Sequence, residues 1–413
     1  MSITTHDEHI SCEICGAKIH AIQTHLKSTH ADLGMTVADY VTKYPSAPIR
    51  SAKAEALYQK ALEDRKLKKQ QEQELAEALI EKDSKKPAVA KKTSAVEALA
   101  AGKPDSVVTK GLHEVFELTG KEAKNSKGGA IPVSCIEKSS HPEMIPDVQN
   151  TYVYDVEDLK NVLLALELGI NPYVWGHKGT GKSELFEQIS ARTGRPLMRV
   201  QHTANTEESH IVGMWTVKDG ATVFELGPLA LAMKYGWMYL ADEYDFALPS
   251  VLSVYQAVLE GKPLMIKEAD AENRLIKAHP NFRFVATGNT NGSGDETGLY
   301  QGTNLQNSAN YDRFGMVIEK KYMPKKAESE ILQRRCRLVE ADADKLVEFA
   351  TLVRDAYSGS KIGDTISVRS LINAADIGIR RGSFKLGTQL SFSNKLSRVD
   401  KEVVEGLAQR VFG

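Results

Sequence analysis

The chain has 413 residues and a formal net charge of −1 at pH 7, and 42% of its residues are hydrophobic. This length suits two or three domains, and the near-zero charge excludes a global basic field for nucleic acid, although a local basic patch stays open. No apolar run approaches the roughly 18 residues of a membrane span, and no signal peptide is evident. With only four cysteines, the sequence favours a cytoplasmic protein without a membrane partner.

The first 48 residues contain a dense cluster of cysteine and histidine. Its four candidate metal ligands are Cys12, Cys15, His25 and His30. Two thiolates and two imidazoles at these spacings suit a tetrahedral Zn²⁺ ion, with His20 as a competing ligand. Because so small a segment has little core of its own, we expect bound zinc to supply its folding energy. Residues 1–48 are therefore predicted to form a zinc-finger domain.

This cluster resembles the prokaryotic Ros/MucR-type zinc finger in its nine-residue gap between Cys15 and His25 and in the segment HLKSTHADLGMTVADYVTKYP. The resemblance implies DNA as one partner. The lysines near the finger are Lys18, Lys27 and Lys43, and neighbouring acidic residues balance them. Because strong phosphate binding needs clustered cations, protein docking is slightly favoured over DNA binding, and both interpretations stay open.

Residues 49–108 separate this finger from the rest of the chain. Positions 51–83 contain strong helix formers and neither glycine nor proline, which predicts one exposed, charged helix. Positions 84–108 are rich in lysine, alanine, serine and proline, which is typical of a flexible linker.

Residues 109–323 alternate apolar strands with helical patterns. The segments read as buried strands are NPYVWG, PLMRVQ, WMYLADE, FRFVATGN and MVIEKKY, and those read as helices include KSELFEQISARTG and PSVLSVYQAVLEG. This alternation predicts an α/β core built on a parallel sheet. Residues 324–413 show only helical patterns and are predicted to form a smaller all-α domain.

The segment GHKGTGKS, from Gly176 to Ser183, has the spacing of a P-loop and stands between a predicted strand and a predicted helix. Its backbone N–H groups would wrap phosphates, Lys182 would reach the β- and γ-phosphates, and Ser183 would bind Mg²⁺. The alternative is a chance glycine-rich turn. The residues predicted to bind ATP are Gly176, His177, Lys178, Gly179, Thr180, Gly181, Lys182, Ser183 and Asp242.

Two further strand ends carry polar residues suited to hydrolysis. In MYLADEYD, Asp242 would hold the Mg²⁺ shell, and Glu243 would act as general base on the attacking water. In FRFVATGN, Asn289 would orient that water. The alternatives are a solvated acidic turn and an ordinary strand-capping asparagine.

Two arginines complete the predicted catalytic set. Arg313, in NSANYDRFG, is placed to be an arginine finger that reaches a neighbouring subunit, and its alternative is an ion pair with Asp312. Arg369, in ISVRSLINAADIG, begins a predicted helix from which it would contact the γ-phosphate of its own subunit.

Residues from about 110 to 413 resemble the MoxR-type branch of AAA+ ATPases, and most of all the ATPase subunits of aerobic cobaltochelatases. The matching segments are GHKGTGKSE, ADEYD, VLEG, HPNFRFVATGNTNGSGDETGLYQGT and ANYDRFG. The resemblance implies a P-loop AAA+ core with a helical lid, a hexameric ring and Mg²⁺ with ATP. It also implies a remodelling role with a protein partner that carries a von Willebrand factor A domain, and it gives Asn289 and Arg369 the roles of sensor 1 and sensor 2.

Two hairpins are predicted inside the core. VGMWTVKDGATVFELGPL alternates apolar residues around Asp219-Gly220, and KPLMIKEADAENRLIKAH precedes the Asn289 strand. In the family such inserts face substrate, with Trp215 and Lys218 as candidate contacts here, and the alternative is a pair of surface hairpins.

The sequence favours an ATPase ring that remodels or activates a protein partner, with a zinc-binding adaptor. A DNA-engaged motor or regulator recruited by the finger, and a metal chelatase subunit, are the alternatives.

Overall fold

The computed structural model describes residues 9–56, 59, 105–295 and 298–413. Contacts divide the chain into two compact units, Met1–Lys92 and Thr93–Gly413. Most of the predicted helix at 51–83 and of the predicted linker at 84–108 lies outside the described residues.

Within residues 9–44, the small unit has two short strands and two α-helices. They are β1 Ile10–Ser11, β2 Lys18–Ile19, α1 Ile22–Thr29 and α2 Val37–Lys43. The strands pair antiparallel, and Thr36 and Asp39 form a capping box at the start of α2. The buried core consists of Ile10, Cys12, Ile22, Leu26 and Tyr40. A core of this size is smaller than an independent domain usually needs.

The described part of the large unit begins with a two-stranded antiparallel sheet, β3 Ser106–Gly111 and β4 Pro132–Lys138. The strand β3 starts inside the segment predicted as linker up to residue 108, because its backbone is paired with β4 and Val108 packs on the core. The helices on either side of β4 are α3 Leu112–Val115 and α4 Val156–Leu168.

A five-stranded parallel sheet forms the centre of this unit. Its strands are β5 Pro172–Trp175, β6 Leu197–Gln201, β9 Met238–Asp242, β12 Arg283–Gly288 and β13 Met316–Glu319. The spatial order is β13-β5-β12-β9-β6. All five strands predicted from the sequence are therefore confirmed as one parallel sheet.

Both faces of this sheet are buried. Along β9, Tyr239 and Ala241 pack into one core cluster, and Met238 and Leu240 pack into a second cluster on the opposite face. Continuous apolar strands are typical of a parallel sheet that is covered by helices on both sides. The helices between its strands are α5 Lys182–Thr193, α6 Glu208–Val212, α7 Pro228–Tyr235, α8 Pro249–Leu252, α9 Gln256–Leu259 and α10 Ser308–Tyr311.

Both predicted hairpins are present. β7 Gly213–Lys218 pairs with β8 Ala221–Leu226 through a turn at Asp219-Gly220, where both residues have positive φ, 51° and 78°. Two successive positive φ angles are the signature of the tight turn that matches strand twist. The second hairpin is only a pair of two-residue strands, β10 Leu264–Met265 and β11 Leu275–Ile276.

The helix predicted over PSVLSVYQAVLEG is interrupted. Between α8 and α9 the chain tightens into a 3₁₀ turn at Ser253–Tyr255. The Ser253 hydroxyl donates to the Ser250 carbonyl at 2.7 Å, and such side-chain bonds compete with the helical backbone pattern.

The C-terminal part is entirely helical among its described elements, as predicted. It consists of α11 Lys325–Cys336, α12 Glu340–Ser358, α13 Val368–Arg381, α14 Phe384–Ser391 and α15 Arg398–Phe412. These helices share a core of their own that includes Leu346, Phe349 and Leu371. Within the described ranges, none of the helices combines the length and the apolarity that crossing a bilayer requires.

Candidate functional site

The loop between β5 and α5 has backbone angles that only glycine adopts easily. Gly176 and Gly179 have φ of 150° and 71°. A Cβ at Gly176 would lie 2.2 Å from the Lys320 carbonyl oxygen, and a Cβ at Gly179 would lie 2.4 Å from Cβ of Ser367. The loop therefore packs tightly against the end of β13 and against the start of α13, which fixes its shape.

Lys182, the first residue of α5, is held above this loop. Its Nζ donates to the carbonyls of Gly176 at 2.7 Å and His177 at 3.1 Å, and to Oδ1 of Asn289 at 3.0 Å. Burial lowers the pKa of Lys182 to about 8. The loop, the lysine and the tip of β12 thus form one polar cluster at the carboxyl edge of the sheet, where open α/β sheets bind ligands.

The Asp242 carboxylate has donors on both of its oxygens. Oδ1 accepts from Oγ of Ser183 at 2.6 Å and from the Thr287 hydroxyl. Oδ2 accepts from Nε of Arg199 at 2.8 Å and from its Nη2 at 2.5 Å. Burial alone would raise the pKa of Asp242, but these hydrogen bonds and the Arg199 charge outweigh it and hold the pKa below its ordinary value.

The pairing of Ser183 with Asp242 fits a Mg²⁺ site. A hydroxyl and an ionised carboxylate are hard oxygen ligands, and the two oxygens already lie within hydrogen-bond distance. P-loop NTPases hold the Mg²⁺ of a bound nucleotide with the same two groups, a P-loop hydroxyl and an aspartate at a strand end.

Glu243 follows Asp242 in a left-handed conformation, with φ of 52°. Its backbone N–H donates to Oγ1 of Thr287 at 3.2 Å, and its Oε2 accepts from Nε2 of Gln201 at 2.8 Å. A left-handed backbone at a non-glycine residue is unfavourable and tends to occur at functional sites. The bend directs the two adjacent acids to different partners.

A cavity of about 650 Å³ lies over these residues. It brings together most of the predicted site: Lys178, Gly179, Thr180, Gly181, Lys182, Ser183, Asp242, Glu243, Asn289 and Arg369. Gly176 and His177 belong to the same loop and line a second cavity of about 540 Å³ that Asn289 also borders. Arg369 reaches the first cavity from the start of α13, so the helical domain contributes directly to it.

Arg313 is placed differently. It is not among the described residues that line this cavity. Its Nε donates to Oε1 of Glu260 at 2.7 Å, and its side chain is 25% exposed. The ion-pair partner is thus Glu260, a residue that the sequence did not suggest.

The cysteine and histidine ligands of the small unit also come together. The four ligand atoms of Cys12, Cys15, His25 and His30 lie within 4.8 Å of one another. The Cys15 Sγ to His25 Nε2 distance is 3.2 Å. The donor set fits one tetrahedral zinc ion.

His20, the competing ligand considered from the sequence, stands apart from this cluster. Its Nδ1 is 3.2 Å from Oγ of Ser51, and its ring stacks on His9.

The candidate substrate contacts of the first hairpin are exposed. Trp215 is 50% exposed and packs edge-on against Phe224, and Lys218 pairs with Glu225 at 3.1 Å. Their assignment as substrate contacts stays a prediction.

Sequence reasoning missed several side chains of this site. Arg199 and Gln201 are two residues apart on β6, so they share one face and bond to the acids at the end of β9. Arg335 lines the cavity from α11. The sequence signal that could have found Arg199 and Gln201 was their polar character at alternate positions of β6, a strand of a mostly apolar sheet.

A P-loop, an acidic strand end and a polar neighbouring strand on a parallel sheet, followed by a helical lid, define an AAA+ ATPase. Residues 173–314 match the family model described as AAA domain (dynein-related subfamily), and residues 328–411 match the CbbQ/NirQ/NorQ C-terminal model. The chain is 33% identical over 280 residues to the aerobic cobaltochelatase subunit CobS of a Sinorhizobium species, over 65% of this chain and 83% of that protein. It belongs to the MoxR-type AAA+ ATPases close to CobS, and it is an ATP hydrolase.

Two further matches are more distant. The chain is 28% identical over 236 residues to the uncharacterised protein YojN of Bacillus subtilis strain 168, over 54% of this chain and 73% of that protein. The RuvB Holliday junction branch migration motor of Thermotoga maritima superposes with a TM-score of 0.37 at 15% identity, over 64% of this chain and 75% of that chain.

Proposed function

We propose that copies of this chain form a hexameric ring that hydrolyses ATP with Mg²⁺ at each subunit interface and uses the energy to remodel or activate a protein partner. The observation that carries this proposal is the position of Arg313. Arg369 lines the cavity of its own chain, whereas Arg313 pairs with Glu260 away from it. An arginine finger from a neighbouring copy would complete the site.

In this proposal each polar residue has one role in hydrolysis. Lys182 and the loop N–H groups bind the phosphates, and Glu243 takes a proton from the attacking water that the Asn289 amide orients. Ser183 and Asp242 would hold Mg²⁺, which supplies charge neutralisation on the phosphates. Arg369 contacts the γ-phosphate within the subunit, and Arg313 of the adjoining copy stabilises the charge of the transition state.

The small unit would serve as a zinc-bound adaptor, with Cys12, Cys15, His25 and His30 as ligands. Its balanced charge supports docking to a protein over binding to DNA. The expected partner is a protein with a von Willebrand factor A domain, since the family pairs its ATPases with such proteins. DNA-stimulated ATP turnover would favour the alternative of a DNA-engaged motor.

A second candidate function is that of the ATPase subunit of a metal chelatase. The 33% identity to CobS, over 83% of a protein that is named as a subunit of aerobic cobaltochelatase, favours it. Both candidates use the same ATPase site and differ in the partner that the ring acts on.

Mixing two inactive variants tests whether the site is shared between subunits. A subunit with Arg313→Ala retains an intact P-loop with Lys182, and a subunit with Lys182→Ala retains the arginine that would reach its neighbour. We expect each variant alone to lose turnover and the mixture to recover part of it, because some interfaces then combine an intact Lys182 with an intact Arg313. ATP turnover is measured against the mixing ratio.

The matched control mixes Lys182→Ala with Lys182→Met, which restores no complete interface. A mixture of Arg313→Ala and Lys182→Ala that stays as inactive as this control would contradict a finger acting between subunits.

A further inference from the structure

Asp245 is a buried acidic residue that follows Asp242 and Glu243 closely in the chain. It lies in a 3₁₀ turn, Tyr244–Phe246, that follows β9 directly, and it is 0% exposed. A buried charge is unfavourable unless it is well hydrogen-bonded. Such a residue three positions after Asp242 therefore calls for a physical reason.

Among the described residues, the hydrogen bonds to its side chain all converge on one oxygen. Oδ2 accepts from the backbone N–H of Asn289 at 2.8 Å, from the N–H of Thr290 at 2.8 Å and from Oγ1 of Thr290 at 2.9 Å. Oδ1 has no hydrogen-bond partner among the residues that the structure describes. The carboxylate is thus oriented entirely toward the tip of β12.

A second element also holds the tip of β12. The Thr290 carbonyl accepts from the Tyr173 hydroxyl at 3.0 Å. A Cβ at Gly288 would lie 1.8 Å from the same hydroxyl oxygen, so only glycine lets Tyr173 approach the strand this closely. The segment from Gly288 to Thr290 is therefore hydrogen-bonded both to β5 and to the turn of Asp245.

We call the hydrogen bonds of Asp245 to the backbone of Asn289 and Thr290 the clamp. The clamp holds the backbone of Asn289, whose side chain faces the site. Oδ1 of Asn289 accepts from Nζ of Lys182 at 3.0 Å, and the residue lines the cavity over the P-loop. Asp245 itself is not among the described residues that line that cavity. In the described part of the chain, its hydrogen bond to the site runs through the backbone N–H of Asn289.

We propose that Asp245 is a positioning residue for ATP hydrolysis, which fixes the Asn289 side chain through the backbone of Asn289 and Thr290. The inference rests on the proposed role of Asn289 in orienting the attacking water. Three donors converge on one carboxyl oxygen, so this single side chain holds two consecutive backbone N–H groups and the Thr290 hydroxyl at the same time. The backbone carbonyl of Asp245 also accepts from the Asn304 N–H at 2.7 Å, and this hydrogen bond anchors the turn.

A double-mutant cycle in the full-length chain tests this role. It compares Asp245→Asn, Asn289→Ala and the double variant by kcat and KM for ATP. We expect Asp245→Asn to lower kcat by about 10- to 100-fold, because small displacements of a catalytic group have such effects, while KM changes by less than about threefold. In the Asn289→Ala background, Asp245→Asn should lower kcat by less than about threefold, because the group it positions is gone.

Two variants keep the test decisive if Asp245→Asn fails to fold, which its melting temperature would show. Thr290→Val removes one of the three donors and preserves the side-chain shape, so we expect a smaller loss of kcat with the same dependence on Asn289. Glu328→Gln is the matched control, because Glu328 is another buried carboxylate, paired with Arg354 at 2.7 Å in the helical domain. Its effect on kcat should multiply with that of Asn289→Ala.

The outcomes separate this inference from the proposed function. Losses from Asp245→Asn and Asn289→Ala that simply multiply would overturn the positioning role. A loss confined to KM would also overturn it and would assign Asp245 to the charge around Lys182. If Asn289→Ala alone left kcat unchanged, the role of Asn289 in the proposed function would fail first.

Discussion

Asp242 and Glu243 are neighbours in sequence with opposite surroundings. Asp242 is buried and bonded by Ser183, Thr287 and Arg199, so its carboxylate is ionised and fixed in direction. Glu243 lies past the bend in the backbone, lines the cavity, and accepts from Gln201. A fixed, ionised oxygen suits a metal shell, and a carboxylate that faces the cavity suits a base.

This difference predicts that Glu243→Gln separates hydrolysis from binding. The amide keeps the shape and the hydrogen bond capacity but cannot take a proton from water. We expect kcat to fall by about 10²- to 10⁴-fold, the usual contribution of a general base, while ATP affinity changes by less than about threefold. Steady-state turnover and titration with a fluorescent ATP analogue measure the two quantities.

Glu225→Gln is the control, because Glu225 lies on the exposed hairpin and pairs with Lys218. Turnover by Glu243→Gln at the rate of this control would remove Glu243 from its assigned role.

At the scale of elements, the sequence predicted the strands well, but it did not predict the side-chain contacts between them. The five sheet strands were predictable because each is a short apolar run between polar breaks. The contact of Arg199 with Asp242 and the clamp of Asp245 on Asn289 were not, because they link strands that are distant in sequence. The prediction of one continuous helix through Ser253 was wrong for a local reason, because the Ser253 hydroxyl donates to the Ser250 carbonyl.

The P-loop also contacts the helical domain. Besides the close approach of Gly179 to Ser367, Nζ of Lys178 pairs with Asp364 at 2.5 Å. The Tyr322 hydroxyl donates to the Lys178 carbonyl at 3.1 Å. A change in loop shape would therefore move the start of α13, from which Arg369 reaches the cavity.

Comparing Gly179→Ala with Gly220→Ala isolates this contact. Both glycines have positive φ, 71° and 78°, so both substitutions carry the left-handed penalty of about 1–2 kcal/mol. Only the first also places a Cβ against Ser367, whereas nothing lies within 4 Å of a Cβ at Gly220. We expect Gly179→Ala to weaken ATP binding by about tenfold or more, the equivalent of a local overpacking penalty.

Equilibrium titration with the same ATP analogue measures both variants, and we expect Gly220→Ala to match the unmodified chain. Equal affinities for the two variants would show that the loop tolerates displacement from α13.

On the scale of the whole molecule, the two units have separate physical bases for stability. The unit Thr93–Gly413 buries large core clusters on both faces of its sheet and inside its helical domain. The described part of the unit Met1–Lys92 has a core cluster of five buried residues next to the Cys12, Cys15, His25 and His30 cluster. Hydrophobic burial stabilises the first, and metal binding is expected to stabilise the second.

Removing zinc should therefore unfold one unit and spare the other. Zinc binding to finger peptides is worth roughly 10–16 kcal/mol, more than so small a core contributes. With a zinc-selective chelator in excess Mg²⁺, we expect residues 9–56 to lose hydrogen-exchange protection while ATP turnover stays within about twofold, since the units have independent cores. Cys12→Ser should reproduce this loss of protection, and Cys135→Ser, a buried cysteine of the large unit, should not. Protection of residues 9–56 that survives both the chelator and Cys12→Ser would show that the finger folds on its apolar core alone.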